Sequence, residues 1–509
     1  MKNWPIWFLL LASPGWAQEA DVTVTSDRST YFLGENVLLD FRVHNPGKKA
    51  LQIEWGGDYR GAPRDLRFKV EAFDQKGNLL SDPHPNSTSF GGLGGTFEVQ
   101  PGKSFIQSLA LAHYRRIPRA GRYRIVVSHD LGWKTPGMAS TELEFRQPAP
   151  AQAEQVVAEA QKMPLQAGVS LGQKTPPYRD FWTLSYACYL RPLAALATNE
   201  SLIGMGQIPS PEVVPVLLRL ARKPALRLEA ARQLCLRIPG RGWKPSFAPQ
   251  VRALALEFVT VGDAKLVSAG AFLLARVGQP ADLGPVSKAL NRYLPAVSTY
   301  PRPAGPGHDL EQALAALNGP VKIEGSAMLL KQLMHRPVSA EWIERGLHDR
   351  SARVRELAVL ASTPGGPQRS RLLELLKDAD PGVQVAACEK LGGEPAILEL
   401  VQTTRDEWVL RAAVAACTPR HRWSGAQILA GRLIERERWR TTFLALAEQV
   451  MTRVPGSSSD GDPEDSELLA LSQRWLHFLT LHRAELEQGK TFAKLPAELI
   501  PSKFSFSAR

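Results

Sequence analysis

The sequence predicts a multidomain protein in which an N-terminal all-β antiparallel sandwich is followed by an all-α helical solenoid. Between residues 20 and 147, apolar and polar residues alternate with a period of two, which is typical of half-buried strands. From residue 339 onward, a set of apolar and acidic residues returns after 29 positions, which is typical of stacked helical repeats. A chain of 509 residues is also longer than a single core usually supports, so at least two domains are expected.

The first 17 residues have the features of an export signal. Lys2 precedes an apolar core from Trp4 to Ala12, and Ser13-Pro14-Gly15 and Ala17 follow this core. The core is too short to cross a bilayer, which takes about 20 residues. We therefore expect a cleaved signal peptide over 1–17 and an exported protein, periplasmic or extracellular, whose membrane association is at most peripheral.

Short alternating runs separated by turn signals make up residues 18–147. They are Val22–Val24, Val37–Val43, Leu66–Phe73, Thr96–Val99, Ser104–Leu111, Arg122–Val127 and Thr141–Phe145. Short strands at this spacing are typical of an antiparallel sandwich, because each strand buries one face and the turns return the chain.

Two of these segments resemble the immunoglobulin-like domains of envelope proteins. Tyr31-Phe-Leu-Gly34-Glu35-Asn-Val37 is similar to the opening of such domains, and Ala120-Gly121-Arg-Tyr123-Arg-Ile125 is similar to their late strand. The same features are similar to small sandwich-type proteinase inhibitors. The resemblance therefore implies an immunoglobulin-like sandwich without implying one activity.

Prolines and polar residues predict the boundaries of the helical region. Pro148 and Pro150 predict a linker over 148–153, with the solenoid extending from 154 to 454. The prolines between 300 and 307 favour a break in this array. A polar loop is expected over 455–465, followed by a C-terminal capping helix and tail over 466–509. The apolar residues that mark this helix are Leu468, Leu471, Trp475 and Leu479.

Each repeat is predicted to consist of a helix, a tight turn and a second helix. Asp380 caps a helix that begins at Pro381, since proline suits the first helical turn. A third copy, which contains Val409, Ala413 and Val414, follows the second at spacings of 25 and 26. The pairs that recur at 29 are Ile343 and Leu372, Leu347 and Leu376, Asp349 and Asp378, Val354 and Val383, Ala358 and Ala387, and Val359 and Cys388.

These repeats resemble bacterial HEAT and HEAT-like repeats. The resemblance lies in a turn that carries Asp, followed by Val-Arg and an Ala three residues on, as in Asp349…Val354-Arg355-Glu-Leu-Ala358. Leu226-Arg227-Leu-Glu-Ala230 is similar, and the segment Asp263–Val277 is more distantly so; together the likeness covers about 190–440. It implies a curved scaffold that holds a protein or peptide partner, and it carries over no active-site residue.

The positive charge is concentrated in one helical segment. The chain has 62 Lys and Arg against 50 Asp and Glu, and residues 211–244 contain eight basic residues against Glu212 and Glu229. Such a density attracts acidic partners, although an arginine-rich solvated surface explains it equally well. Export and the lack of interleaved aromatic residues argue against nucleic acid. The candidate partner-binding residues are Arg219, Arg222, Arg227 and Arg232.

The sequence contains no convincing set of catalytic, cofactor-binding or metal-binding residues. Gly168-Val-Ser170-Leu-Gly172 lacks the strand and helix of a hydrolase elbow, His477 and His482 are spaced wrongly for a metal, and the acidic run 460–465 matches a calcium loop poorly. The four cysteines are expected to be structural thiols, with Cys235 and Cys388 on the buried face, and a bridge from Cys388 to Cys417 is the alternative. We expect no cofactor.

Two functional classes follow from these observations. The first is a non-enzymatic exported scaffold that binds a partner through the solenoid. The second is a proteinase inhibitor acting through a sandwich loop such as Ser87–Thr96. An enzyme with an unrecognised site and any oligomeric state remain open.

Overall fold

The chain forms two compact units, Met1–Phe247 and Ala248–Arg509. The computed structural model describes residues 20–507 except 58–59, 63, 166–173, 241, 295–304, 318–322, 336, 418, 436–437, 452–455, 460–462 and 502–503. The predicted fold class is confirmed, because a β domain over 21–146 precedes a helical solenoid. The expected signal peptide and most of the expected break at 300–307 lie outside the described residues. Within those residues, no helix combines the length and apolar character needed to span a membrane.

The β domain contains all the predicted strands and two that the alternation did not reveal, β2 and β4. The strands are β1 (Asp21–Thr25), β2 (Thr30–Phe32), β3 (Leu38–His44), β4 (Leu51–Gly56), β5 (Phe68–Phe73), β6 (Gly94–Val99), β7 (Ser104–Ala110), β8 (Gly121–His129) and β9 (Gly137–Arg146). The sheet orders are β1-β3-β7, β2-β9-β8-β5 and β4-β6.

The sandwich core follows from the alternation. Leu39, Phe41 and Val43 on β3 are fully buried, as are Ile125 and Val127 on β8. All the strand pairs are antiparallel except β2 with β9, which is parallel. This departure from the predicted pattern arises because the chain changes sheets between β1 and β2, and β2 then runs beside the last strand of the domain.

Among its described residues, the N-terminal unit also contains five α-helices. The first begins at Pro150, so the expected linker over 148–153 is helical in its last four residues. Gln152 stabilises this start because its Oε1 accepts a hydrogen bond of 2.9 Å from the amide of Ala149. The helices are α1 (Pro150–Lys162), α2 (Leu190–Leu196), α3 (Asn199–Gln207), α4 (Val213–Leu220) and α5 (Arg227–Arg237).

The segment between α1 and α2 packs directly on the sandwich. The Tyr189 hydroxyl donates to the carbonyl of Leu33 at 2.5 Å, and the Thr183 hydroxyl donates to the carbonyl of Gly34 at 2.7 Å. Gly34 has a φ of +93°, and an added Cβ would lie 2.8 Å from the Tyr189 ring. This close approach requires glycine. The predicted boundary at 148–153 stays a prediction, but these contacts place residues 183–189 against the sandwich core.

The second unit is a succession of helices. They are α6 (Ala248–Thr260), α7 (Ala264–Val277), α8 (Leu283–Tyr293), α9 (Pro306–Ala316), α10 (Gly325–Met334), α11 (Ala340–Leu347), α12 (Ala352–Ala361), α13 (Arg369–Leu375), α14 (Pro381–Lys390), α15 (Ala396–Thr403), α16 (Glu407–Ala416), α17 (Pro419–Arg432), α18 (Trp439–Val450), α19 (Asp465–Leu481) and α20 (Arg483–Glu487). Helices α12, α14, α16 and α18 pack side by side in that order.

The sequence period is reproduced by the helix starts. From α11 to α13 and from α12 to α14 the start moves by 29 residues, and to α15 and α16 it moves by 27 and 26. The Asp380 carboxylate accepts hydrogen bonds from the amides of Gly382 and Val383, as expected of a cap. The recurring apolar side chains of the second helices are buried: Val354, Ala358, Val359, Val383, Ala387, Cys388, Val409, Ala413 and Val414.

The C-terminal region contains more structure than a loop and a tail. Helix α19 buries Leu468, Leu471, Trp475 and Leu479 and packs on α17. Strand β10 (Gly456–Ser459) lies within the expected polar loop and pairs antiparallel with β11 (Phe504–Ser507) in the expected tail. Strands of four residues are too short for alternation to reveal them reliably.

Candidate partner surface and N-terminal cleft

The four predicted partner-binding arginines lie on the helix pair α4–α5, which we call the basic pair. Arg219 is exposed near the end of α4, and Arg222 is exposed just beyond that end. Arg227 is half-buried and donates to the carbonyl of Ala221 at 3.3 Å. Arg232 is exposed and lies 3.4 Å from the Glu229 carboxylate. The structure thus places three of the four in solvent.

Arg237 belongs to the same basic segment but lies in the interior. It is 1% exposed, and its Nη2 donates to the carbonyls of Met205 at 3.0 Å and of Ile208. Its Nη1 lies 3.4 Å from the carbonyl of Ser210. The guanidinium therefore joins α5 to the end of α3, so this charge is unavailable to a partner.

The basic pair has few carboxylates near it. Glu212 is exposed on the N-terminal side of α4, and the Glu229 carboxylate is shared by Arg232 and Gln233. Among the described residues, no carboxylate lies within ion-pair distance of Arg219 or Lys223. Arg219 and Lys223 therefore keep their positive charge unpaired within the described residues.

Most basic side chains on the repeats α11–α16 are paired instead. Arg355 makes two hydrogen bonds of 2.8 Å to the Asp378 carboxylate of the next repeat. The other pairs, with their shortest N–O distances, are Arg345 with Glu341 at 3.7 Å, Arg353 with Glu311 and Glu356 at 2.6 Å each, Arg369 with Glu394 at 2.8 Å, Arg371 with Glu374 at 2.7 Å, Lys377 with Glu399 at 2.9 Å and Arg411 with Glu448 at 3.0 Å.

A second candidate site was not anticipated from the sequence. It is a cavity of about 240 Å³ in the N-terminal unit, which we call the Trp182 cleft. It is lined by the loop at Pro83–His84, by residues 111–117 after β7 and by residues 182–186. Its apolar lining includes Val37, Leu111, Ile117 and Phe145, all nearly fully buried.

Trp182 organises one side of this cleft. The His84 imidazole stacks on the indole with a centroid distance of 5.4 Å and an interplanar angle of 16°. His113 meets the indole edge-on at 5.9 Å, and its Nε2 lies 3.5 Å from the Asp180 carboxylate. Burial, with the nearby charges of Arg64 and His113, lowers the pKa of His84 below its usual range, so this imidazole is neutral at pH 7.

Acidic groups at the cleft are engaged by neighbouring donors. The Glu35 carboxylate accepts from Arg28 at 3.0 Å and from the amide of Phe32 at 2.5 Å. Asp82 forms a bidentate ion pair with Arg64, with N–O distances of 2.7 and 2.6 Å. The Arg64 guanidinium holds the pKa of the Asp82 carboxyl below its usual range.

Two basic side chains face the cleft with different roles. Arg115 donates to the carbonyls of Val70 at 2.9 Å and of Leu80 at 3.4 Å, so it supports the sandwich. Arg116 also lines the cleft, and within the described residues its guanidinium has no hydrogen-bond or ion-pair partner. A half-buried arginine left in this state is a candidate anion-binding group.

The remaining sequence motifs do not assemble into a site. The Gly168–Gly172 motif and residues 460–462 of the acidic run lie outside the described residues. His482 Nδ1 lies 2.6 Å from the Glu485 carboxylate, whereas His477 is exposed. Among the described residues, no group of three or more His, Cys, Asp or Glu side chains could hold a metal ion.

Cys388 and Cys417 are separate thiols in the structure, without the alternative bridge. Burial raises the pKa of Cys388 to about 12 and that of Cys417 to about 11. Because the thiolate is the reactive form, both thiols are unreactive at neutral pH.

No family model matches the chain, and no curated protein matches it. Among solved structures, it is similar to the crystal structure of Spo0M, a sporulation control protein from Bacillus subtilis, with 19% sequence identity and a TM-score of 0.17. The match covers 28% of this chain and 54% of that chain, so it spans about half of Spo0M. A similarity this low carries no argument about fold or function.

Proposed function

We propose that the protein is a non-enzymatic exported scaffold of the HEAT-like class that binds an acidic protein or peptide through its helical region. Export follows from the signal-like residues 1–17, and the HEAT-like assignment follows from the repeat motif around Asp349 and Asp378. The observation that carries partner binding is the basic pair. Arg219 and Lys223 are exposed and lack a carboxylate among the described residues, whereas most basic side chains of α11–α16 have one.

Such a surface favours association with an acidic partner. Positive side chains on one face raise the local concentration of an anionic protein and increase its association rate. They contribute less to the lifetime of the complex, because exposed ion pairs stabilise by about 0–1 kcal/mol each. We therefore expect the basic pair to control the rate of association.

The test is a double charge reversal, Arg219→Glu with Arg222→Glu. A partner is first recovered by co-purification from an envelope extract, and its association rate with the wild-type protein is then measured by surface plasmon resonance. We expect the reversal to slow association about tenfold or more at 0.1 M salt, where the Debye length is about 10 Å. At 1 M salt, where it is about 3 Å, the two proteins should associate at similar rates.

The matched control reverses two exposed basic residues elsewhere in the same unit, Lys162→Glu with Arg191→Glu. This control changes the net charge equally, so it separates a local surface effect from a change in total charge. Equal slowing by both double variants, or slowing by neither, would contradict a role for the basic pair.

A loop in the β domain supports a second candidate, proteinase inhibition. Phe90 and Leu93 lie within the predicted inhibitory segment Ser87–Thr96 and are 79% and 76% exposed. Large exposed apolar side chains on a loop are typical of a segment that enters a partner's pocket. Inhibition of an envelope proteinase that is abolished by Phe90→Ser would support this candidate over the scaffold.

A further inference from the structure

We propose that the Trp182 cleft binds a small organic carboxylate with an apolar body. This site is independent of the basic pair, and its ligand differs from the acidic partner proposed for that surface. The inference combines an unpaired arginine, neighbouring acids that are already engaged, and an apolar wall.

The charge balance of the cleft favours an anion. Arg116 offers a guanidinium without a partner among the described residues, and Arg115 adds a second positive charge beside it. Glu35 and Asp82 offset this charge only in part, since Glu35 is paired with Arg28, which also lies 3.5 Å from Asp27, and Asp82 is paired with Arg64. A carboxylate matches the planar fork of a guanidinium and would form two parallel hydrogen bonds with it.

Apolar side chains in the lining explain why the ligand needs an apolar body. Pro83, Trp182 and Tyr186 line the cleft, and each is partly exposed. At about 30 Å³ for one water, a volume of about 240 Å³ has room for about eight waters. A ligand of benzoate size would displace such water from apolar surface, which favours binding.

His84 provides a second polar contact. It stacks on Trp182 at the cleft, with Asp82, Arg64 and His113 as the charged or titratable groups around it. A neutral imidazole can donate one ring N–H to a carboxylate oxygen. The stacked indole holds the ring orientation, so His84 and Arg116 both offer donors to a ligand in the cleft.

Isothermal titration of the full-length protein tests this proposal. The probes are benzoate, its neutral match benzamide, and the tripeptide Gly-Gly-Phe with a free or an amidated C-terminus. We expect benzoate to bind at least tenfold more tightly than benzamide, and Arg116→Gln to weaken benzoate binding at least tenfold. Binding of benzoate would indicate a small free carboxylate as the ligand. Binding of only the tripeptide with a free C-terminus would indicate the C-terminus of a polypeptide. Either outcome supports a carboxylate site.

Two controls keep the result interpretable. Arg122→Gln removes an exposed arginine from β8 of the same domain and should leave binding unchanged. Ser185→Phe places a ring in the cleft and should abolish binding of every probe, provided that the melting temperature is retained. The proposal is overturned if no carboxylate binds, if the neutral probes bind equally well, or if Arg116→Gln has no more effect than Arg122→Gln.

Discussion

The basic pair α4–α5 and the repeats α11–α16 are both rich in arginine, but they use it differently. In the repeats, Arg355 bridges to Asp378 of the next repeat, and Asp378 is only 6% exposed. In the basic pair, Arg219 is exposed and lacks a carboxylate partner among the described residues. Arginine therefore holds neighbouring repeats together in one region and remains available at the surface in the other.

The recurring turn shows how the repeats combine these contacts. Arg355 Nη1 donates to the carbonyl of Asp349 at 2.8 Å, and Gln384, 29 residues later, donates to the carbonyl of Asp378 at 2.6 Å. Both acids also accept from the amide two residues on, that of Ser351 at 2.8 Å and that of Asp380 at 2.9 Å. The turn is thus stabilised by the same hydrogen bonds whether the donor is the charged side chain of Arg355 or the neutral side chain of Gln384.

The largest expected effect is a loss of stability when a charge is placed on the buried face of the repeats. Ala387 is fully buried on α14, which packs between α12 and α16. Ala387→Glu buries an unpaired charge and should lower the free energy of unfolding by about 4 kcal/mol or more. Urea unfolding followed by circular dichroism measures this change.

The control for this substitution is Ala415→Glu, because Ala415 is exposed on α16. The same chemical change should there cost about 0.5 kcal/mol or less. If the two variants unfolded at similar urea concentrations, the 29-residue alignment would not define the buried face of the helices.

The second-largest expected effect is the difference in stability between the β domain alone and the whole N-terminal unit. Residues 18–147, expressed alone, are predicted to fold as a β-rich monomer. Residues 18–247 should be more stable by about 2–4 kcal/mol, because the longer chain retains buried Tyr189 and its hydrogen bond to Leu33. Thermal melting of the two fragments compares them; a disordered short fragment would mean that the sandwich shares its core with residues 174–189.

A smaller effect is expected from the bridge between repeats. Arg355→Ala leaves the Asp378 carboxylate without its guanidinium and should cost about 2–3 kcal/mol. Arg355→Gln keeps a donor for the carbonyl of Asp349, as Gln384 does for Asp378, and should cost about 1 kcal/mol less than the alanine variant. Chemical denaturation of both variants gives the difference, and equal losses would exclude the carbonyl contact as a stabilising feature.

The smallest effect is expected in the basic pair. Arg219→Ala removes an exposed guanidinium and should change the free energy of unfolding by about 0.5 kcal/mol or less. Together with the loss of stability in Arg355→Ala, this result would show that arginine stabilises the repeats but not the basic pair. A loss above about 1 kcal/mol would show instead that Arg219 supports the fold.

Much of the fold could be predicted because it depends on periodic burial. The alternation in β3 and the 29-residue period of α11–α14 each report which side chains face a core, and both predictions match the structure. Strand β2 was missed because three residues are too short for a period, and the start of α1 was missed because prolines also mark helix starts.

The sites were harder to predict because they depend on contacts between distant residues. Arg237 looks like its exposed neighbours in the sequence, and only the carbonyls at the end of α3 distinguish it. The Trp182 cleft joins residues from 34 to 207, so no local pattern contains it. The one available signal was the density of aromatic residues in an otherwise loop-rich stretch, namely Tyr178, Phe181, Trp182, Tyr186 and Tyr189.

The pairing of β10 with β11 ties residues 504–507 back to residues 456–459. The Phe504 ring lies edge-on to Phe443 of α18 at 4.8 Å and to Trp439 at 6.1 Å, so this strand covers the aromatic end of the helical stack. Proteolytic trimming that removes residues 504–507 would therefore expose the rings of Trp439 and Phe443 to solvent and promote aggregation. The intact strand keeps both rings covered.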